Sequence, residues 1–184
     1  TRAMTPQKAI IASAVLNFCG ALLSTGVAKT IGGDIVKSAS MVNANVLVAA
    51  LIAAIVWNLV TWWYGIPSSS SHALIGGLVG AVAAASGFEA LNAKGIETIV
   101  LSLVISPIIA LVTGYALMVV LLWIFGRLAP NMLNHGFKRM QLLSAAAMAF
   151  SHGANDAQKA MGIITLALVS GGVIDSFEVP TWVK

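Results

Sequence analysis

Charge is what this sequence has least of. Only 9% of its 184 residues are Asp, Glu, Lys or Arg, against 59% hydrophobic residues. A soluble domain carries about 25% charged residues, so the composition describes an integral membrane protein and not a soluble domain with a large core. Cysteine is nearly missing. The single Cys19 lies inside an apolar run, which excludes a disulfide framework and a cysteine metal site and leaves a small helix-packing residue. Short alternating strands are missing as well: the apolar runs are helical in length, which sets aside an outer-membrane barrel. There is no recognisable signal peptide and no initiating Met. The chain opens Thr1-Arg2-Ala3-Met4, with Thr5-Pro6 as a helix start, so processing or a fragment is expected. The net charge of +4 comes mainly from Lys and Arg flanking apolar runs. That pattern is an orientation signal in a membrane, not a nucleic-acid patch.

What is present is organised around residues 151–162, Ser-His-Gly-Ala-Asn-Asp-Ala-Gln-Lys-Ala-Met-Gly. This polar stretch separates the apolar runs 142–150 and 163–170. Neither run reaches the ~20 residues that cross a bilayer, but together they do, which places Asp156 and Lys159 near mid-membrane. An ionisable residue at that depth costs about 2.5–3.5 kcal/mol on insertion scales and marks an ion or substrate pathway. Gly153 and Gly162 bracket the polar residues, and the expectation is that they let the helix open there, freeing backbone groups for an ion. The competing reading is a Lys159–Asp156 pair closing a helix–helix contact.

In chain order, residues 9–28 are uncharged and predict a first span, with Asn17, Gly20, Ser24 and Gly26 as close-approach positions. Residues 46–64 predict a second, ending in the aromatic cluster Trp57, Trp62, Trp63 and Tyr64, an interfacial anchor. Pro67, Ser68, Ser69, Ser70, Ser71 and His72 then break the apolar pattern. A broken or re-entrant element over 66–87 follows, with a half-helix starting near 70–73, whose N-terminus and hydroxyls would suit an anion. A bare serine-rich turn is the plain alternative. Residues 98–126 predict a long span kinked at Pro107, and 127–140 a basic loop with Arg127, Lys138 and Arg139. Flanking charge leaves five cations on one side and three on the other whether 66–87 crosses or re-enters, Arg2 counted among them, so it does not orient the chain.

Gly153-Ala154-Asn155-Asp156 with Lys159, together with the Pro67–His72 run, resembles the inorganic phosphate transporter (PiT) family over essentially the whole chain. The resemblance implies an all-α, polytopic transmembrane helical bundle with broken or re-entrant helices, built as a pseudo-symmetric two-half transporter. This chain would be a fragment of it. Residues 1–126 would complete the first half, 127–140 connect, and 141–184 begin the second, because one G-A-N-D segment and one serine segment are absent. It further implies secondary active transport of inorganic phosphate coupled to sodium or a proton, in a multi-pass protein of the cell membrane, and no catalysis. Phosphate needs N–H and O–H donors, which Ser68, Ser69, Ser70, Ser71 and His72 supply. A cation needs oxygen ligands, which Asn155 and Asp156 supply, Asp156 holding the metal if sodium drives transport. Lys159 balances the charge of Asp156, one helical turn away, with His152 in support. The expected partners are phosphate, the cation and the lipid bilayer, with a homodimer allowed and no nucleic acid; no cofactor is expected beyond the coupling ion.

Three other classes compete. An intramembrane hydrolase would use His152 and Asp156, spaced four apart, with Ser70 as nucleophile. A structural membrane subunit would not need Asp156 and Lys159 at mid-depth. A channel would differ from a carrier in turnover and counterflow.

Overall fold

The structure, a computed structural model, describes residues 4–23, 25–127 and 130–184; Arg2 and Ser24, named above, lie outside them. The elements are helices: α1 (Pro6–Leu23), α2 (Gly26–Lys29) continuing into a π turn (Thr30–Asp34), α3 (Ala44–Trp63), α4 (Ser70–Ser86), α5 (Ala93–Phe125) and α6 (Pro130–Ser170). The β pairing among the described residues is an isolated antiparallel bridge, Val36 with Leu91. Among the described residues three helices, α1, α3 and α5, are long and apolar enough to cross a membrane. With its 41 residues, α6 has the length, about 60 Å at 1.5 Å per residue, but carries the polar patch. The protein is an all-α membrane protein, as expected from composition.

The chain forms two compact units. One combines described residues of Thr1–Leu22 with Thr98–Ala154, the other Leu23–Glu97 with Asn155–Lys184, so the boundaries fall inside α1, α5 and α6. In the first unit α1 meets the middle of α6 through glycine. A Cβ on Gly20 would strike the Phe150 carbonyl, and one on Gly153 would strike the Asn17 backbone. Two backbones approach that closely only where side chains are missing. Small residues of the same two helices, Ala9, Ser13, Ala145 and Ala149, line a groove of about 300 Å³. The α5 segment of this unit presents Leu, Ile and Val on all sides, as a helix surrounded by lipid or further helices does.

In the second unit α3 packs on α4, with Gly77 set against the Ala50 carbonyl. Asn43 caps α3 by accepting the Val46 N–H at 3.0 Å, which closes one of the four open donors at a helix start. Ala28, Ile35, Val42, Leu78, Val82 and Leu166 are fully or almost fully buried. The Lys37 N–H donates to the Ala90 carbonyl at 3.0 Å and the Asn92 N–H to the Ile35 carbonyl at 2.9 Å, tying the chain after the π turn to the start of α5.

Three expectations are corrected here. Residues 9–28 are not one helix: α1 stops at Leu23 and α2 starts afresh at Gly26. The stretch 151–162 is not an opened helix, since α6 runs through it unbroken. Its glycines serve close approach instead, Gly162 lying against Ala28 as Gly153 lies against Asn17. Residues 130–139, expected within a loop, are the first turns of α6, with Pro130 at the position where a missing N–H is harmless. A fourth boundary moves less: α5 begins at Ala93, taking Lys94 and Glu97 into its first turns.

Candidate functional site

The serine stretch owes its shape to proline and capping. Gly65 follows α3 with a φ of 65°, a conformation that suits glycine. Pro67 lacks an N–H and holds Ile66 out of the helical region, so the chain stays non-helical until Ser70. Ser69 is the N-cap of α4: its side chain accepts from the His72 N–H at 3.5 Å, and its carbonyl from the Ala73 N–H at 3.0 Å. The half-helix therefore starts where the sequence places it, with Ser68, Ser69, Ser70 and Ser71 around its first turn. Ser68 and Ser70 are exposed, Ser69 and Ser71 partly so. His72 lies beside a groove of about 430 Å³ lined also by Ala53, Trp57, Ala73, Gly76 and Gly77.

On α6, in the same unit, Lys159 Nζ meets Asp156 Oδ1 at 2.6 Å. The two are three residues apart and so share a helix face. The pair joins the serine stretch: Lys159 Nζ also lies 3.5 Å from the Ser70 hydroxyl. Asp156 is half exposed while Lys159 is mostly covered, at 51% and 19%. Asn155 precedes them and is exposed. Among the described residues no group of three or more His, Cys, Asp and Glu is placed to hold a metal. A sodium ion at Asp156 would draw its remaining ligands from neutral oxygens, such as the Asn155 amide.

His152 belongs to the first unit, where its Nδ1 lies 3.2 Å from Asn17 Oδ1. Asn17 Nδ2 donates to the Ser13 carbonyl at 2.8 Å, which turns Oδ1 toward the ring, so the histidine Nδ1–H is the donor. His152 thereby links α6 to α1.

Gln158 is the residue that sequence reasoning passed over. It is 1% exposed, and its Oε1 accepts the Val27 N–H at 2.6 Å and lies 3.3 Å from the Ala28 N–H. A side chain of α6 thus satisfies the open start of α2 and holds the break between α1 and α2. The signal was faint: a glutamine among five other polar residues of the same stretch, whose partners lie some 130 positions away.

The Phosphate transporter family model matches residues 1–133 and 125–184, the full length of the chain. The chain belongs to the phosphate transporter family. It is 52% identical over 186 residues to a probable low-affinity inorganic phosphate transporter of Bacillus subtilis, covering 100% of this chain and 56% of that protein. A protein of the same description from Streptomyces halstedii is 46% identical over 155 residues, covering 83% of this chain and 72% of that one. The low-affinity inorganic phosphate transporter PitB of Escherichia coli is 34% identical, covering 92% and 40%. A solved structure, the sodium-dependent phosphate transporter, is similar with a TM-score of 0.72 at 25% identity, over 99% of this chain and 64% of that one. The chain thus spans a little over half the length of the Bacillus relative.

Proposed function

We propose that this family member is the central portion of a carrier that moves inorganic phosphate across the cell membrane with a monovalent cation, sodium or a proton, by alternating access. In this reading Ser68, Ser69, Ser70, Ser71 and His72 give hydrogen bonds to the phosphate oxygens, helped by the N-terminus of α4. Asp156 and Asn155 hold the cation, and Lys159 balances the carboxylate. The name of the solved relative favours sodium. The hydrolase reading loses its support: the Ser70 hydroxyl faces an ammonium group, not a base that could take its proton, and the named relatives are transporters.

The observation that carries the proposal is the position of Lys159, within 2.6 Å of Asp156 and 3.5 Å of Ser70. It brings the serine stretch and the polar patch of α6 to one place. Phosphate uptake by the full-length protein tests it. Alanine at Ser69, Ser70 and Ser71 together should abolish uptake with the amount of protein in the membrane unchanged. Uptake at the unmodified rate in that triple variant would sink the assignment.

A further inference from the structure

We propose that the Lys159 ammonium is a resident cation on Asp156, which an incoming sodium ion displaces toward Ser70. This rests on the reading of Asp156 as the cation residue of the carrier. A carboxylate that is to bind an external ion has to present an oxygen to it, and Oδ1 is already held by Lys159 Nζ at 2.6 Å. That is the distance of a direct, charge-assisted contact. A second positive charge arriving on the same carboxylate would sit within a few ångströms of the ammonium, where like charges repel. That repulsion frees the lysine.

The structure also supplies a place for it to go. The Ser70 hydroxyl lies 3.5 Å from Nζ, just beyond a good hydrogen bond. A shift of well under 1 Å closes that gap, and the flexible four-carbon stem of lysine readily allows it. Exposure fits the exchange: the carboxylate is half open to an entering ion, while the lysine is mostly covered by protein. Ser70 begins α4 among the serines assigned to phosphate. With no external cation bound, the lysine charge is neutralised by Asp156. After exchange it stands beside the phosphate donors as an added attraction for the anion. Cation and phosphate would then each raise the affinity for the other, as linkage requires.

The test is phosphate uptake by the full-length protein in liposomes, with sodium varied at fixed pH. Lys159→Met removes the resident charge. The half-saturating concentration of the driving cation should fall about tenfold, and half-saturating phosphate should rise about fivefold or more at saturating cation. Lys159→Arg keeps the charge on the carboxylate, so its half-saturating cation should not fall as it does in Lys159→Met. A Lys159→Met protein with the unmodified cation dependence would overturn the exchange, as would an arginine variant that behaves like methionine. Where Lys159→Met fails to reach the membrane, Lys159→Gln is read with the same two outcomes. An unmodified protein that takes up no phosphate would instead defeat the transport reading, so the two failures are distinguishable.

Discussion

Residues 65–69 and residues 151–162 both interrupt apolar sequence with polar groups, yet α3 ends before the first and α6 runs through the second. The difference lies in the backbone. In the first, Gly65 adopts a positive φ, Pro67 removes a donor, and Ser69 is placed to cap a new helix. In the second there is no proline, Asp156 and Lys159 pair with each other, and Gly153 and Gly162 lie against neighbouring backbone. Polarity inside a membrane-length run does not break a helix when the polar side chains find partners. A break needs a lost donor or a cap. The interruption between α1 and α2 makes the same point from the other direction. It falls in sequence with no charge and no proline, and it is capped by Gln158 from a distant helix.

The glycines offer the strongest way to break that contrast. Gly153→Val puts side-chain atoms into the Asn17 backbone, where neither helix can yield without separating. Overpacking of this kind should cost about 3 kcal/mol, and more if the contact opens. Gly80 has nothing within 4 Å of an added Cβ, so Gly80→Ala should be neutral or stabilise by about 0.5–1 kcal/mol through helix propensity. Thermal unfolding of the full-length protein in detergent measures both. Equal melting of the valine variant and the unmodified protein would mean that Gly153 serves helix opening after all.

A smaller effect is expected at the distant cap. Gln158→Met keeps the bulk and removes the acceptor for the Val27 and Ala28 amides. Leaving buried donors unsatisfied costs about 1–3 kcal/mol. Hydrogen exchange at residues 26–29 should quicken while α3 keeps its protection, its own cap being Asn43. Uniform exchange across both segments would show that Gln158 holds no local structure.

Much of this was legible because single signals sufficed. The spans of α3 and α5 follow from run length, and the start of α4 from Pro67 followed by serines. The Asp156–Lys159 pair follows from their spacing. What stayed hidden depends on partners far along the chain. Gly153 and Gly162 look like hinges until Asn17 and Ala28 are seen behind them. Nothing local tells that Ser70, rather than another serine, meets Lys159. The start of α6 was legible in principle, since Pro130 is a helix-start signal; the basic residues Lys138 and Arg139 that follow fit a solvated loop equally well.

The central claim, that Asp156 serves the cation and the serine stretch serves the anion, is tested most directly by Asp156→Asn in the full-length protein. Phosphate uptake is measured against cation concentration, and phosphate affinity again at saturating cation. A bare carboxylate beside phosphate repels it by about 4 kcal/mol at 4 Å and an effective dielectric of 20, a repulsion that a cation between them turns to attraction. The account predicts that the variant loses its normal cation dependence first, with phosphate affinity falling only through the lost coupling. A variant that kept the normal cation requirement and lost phosphate binding at saturating cation would contradict it and assign Asp156 to the anion.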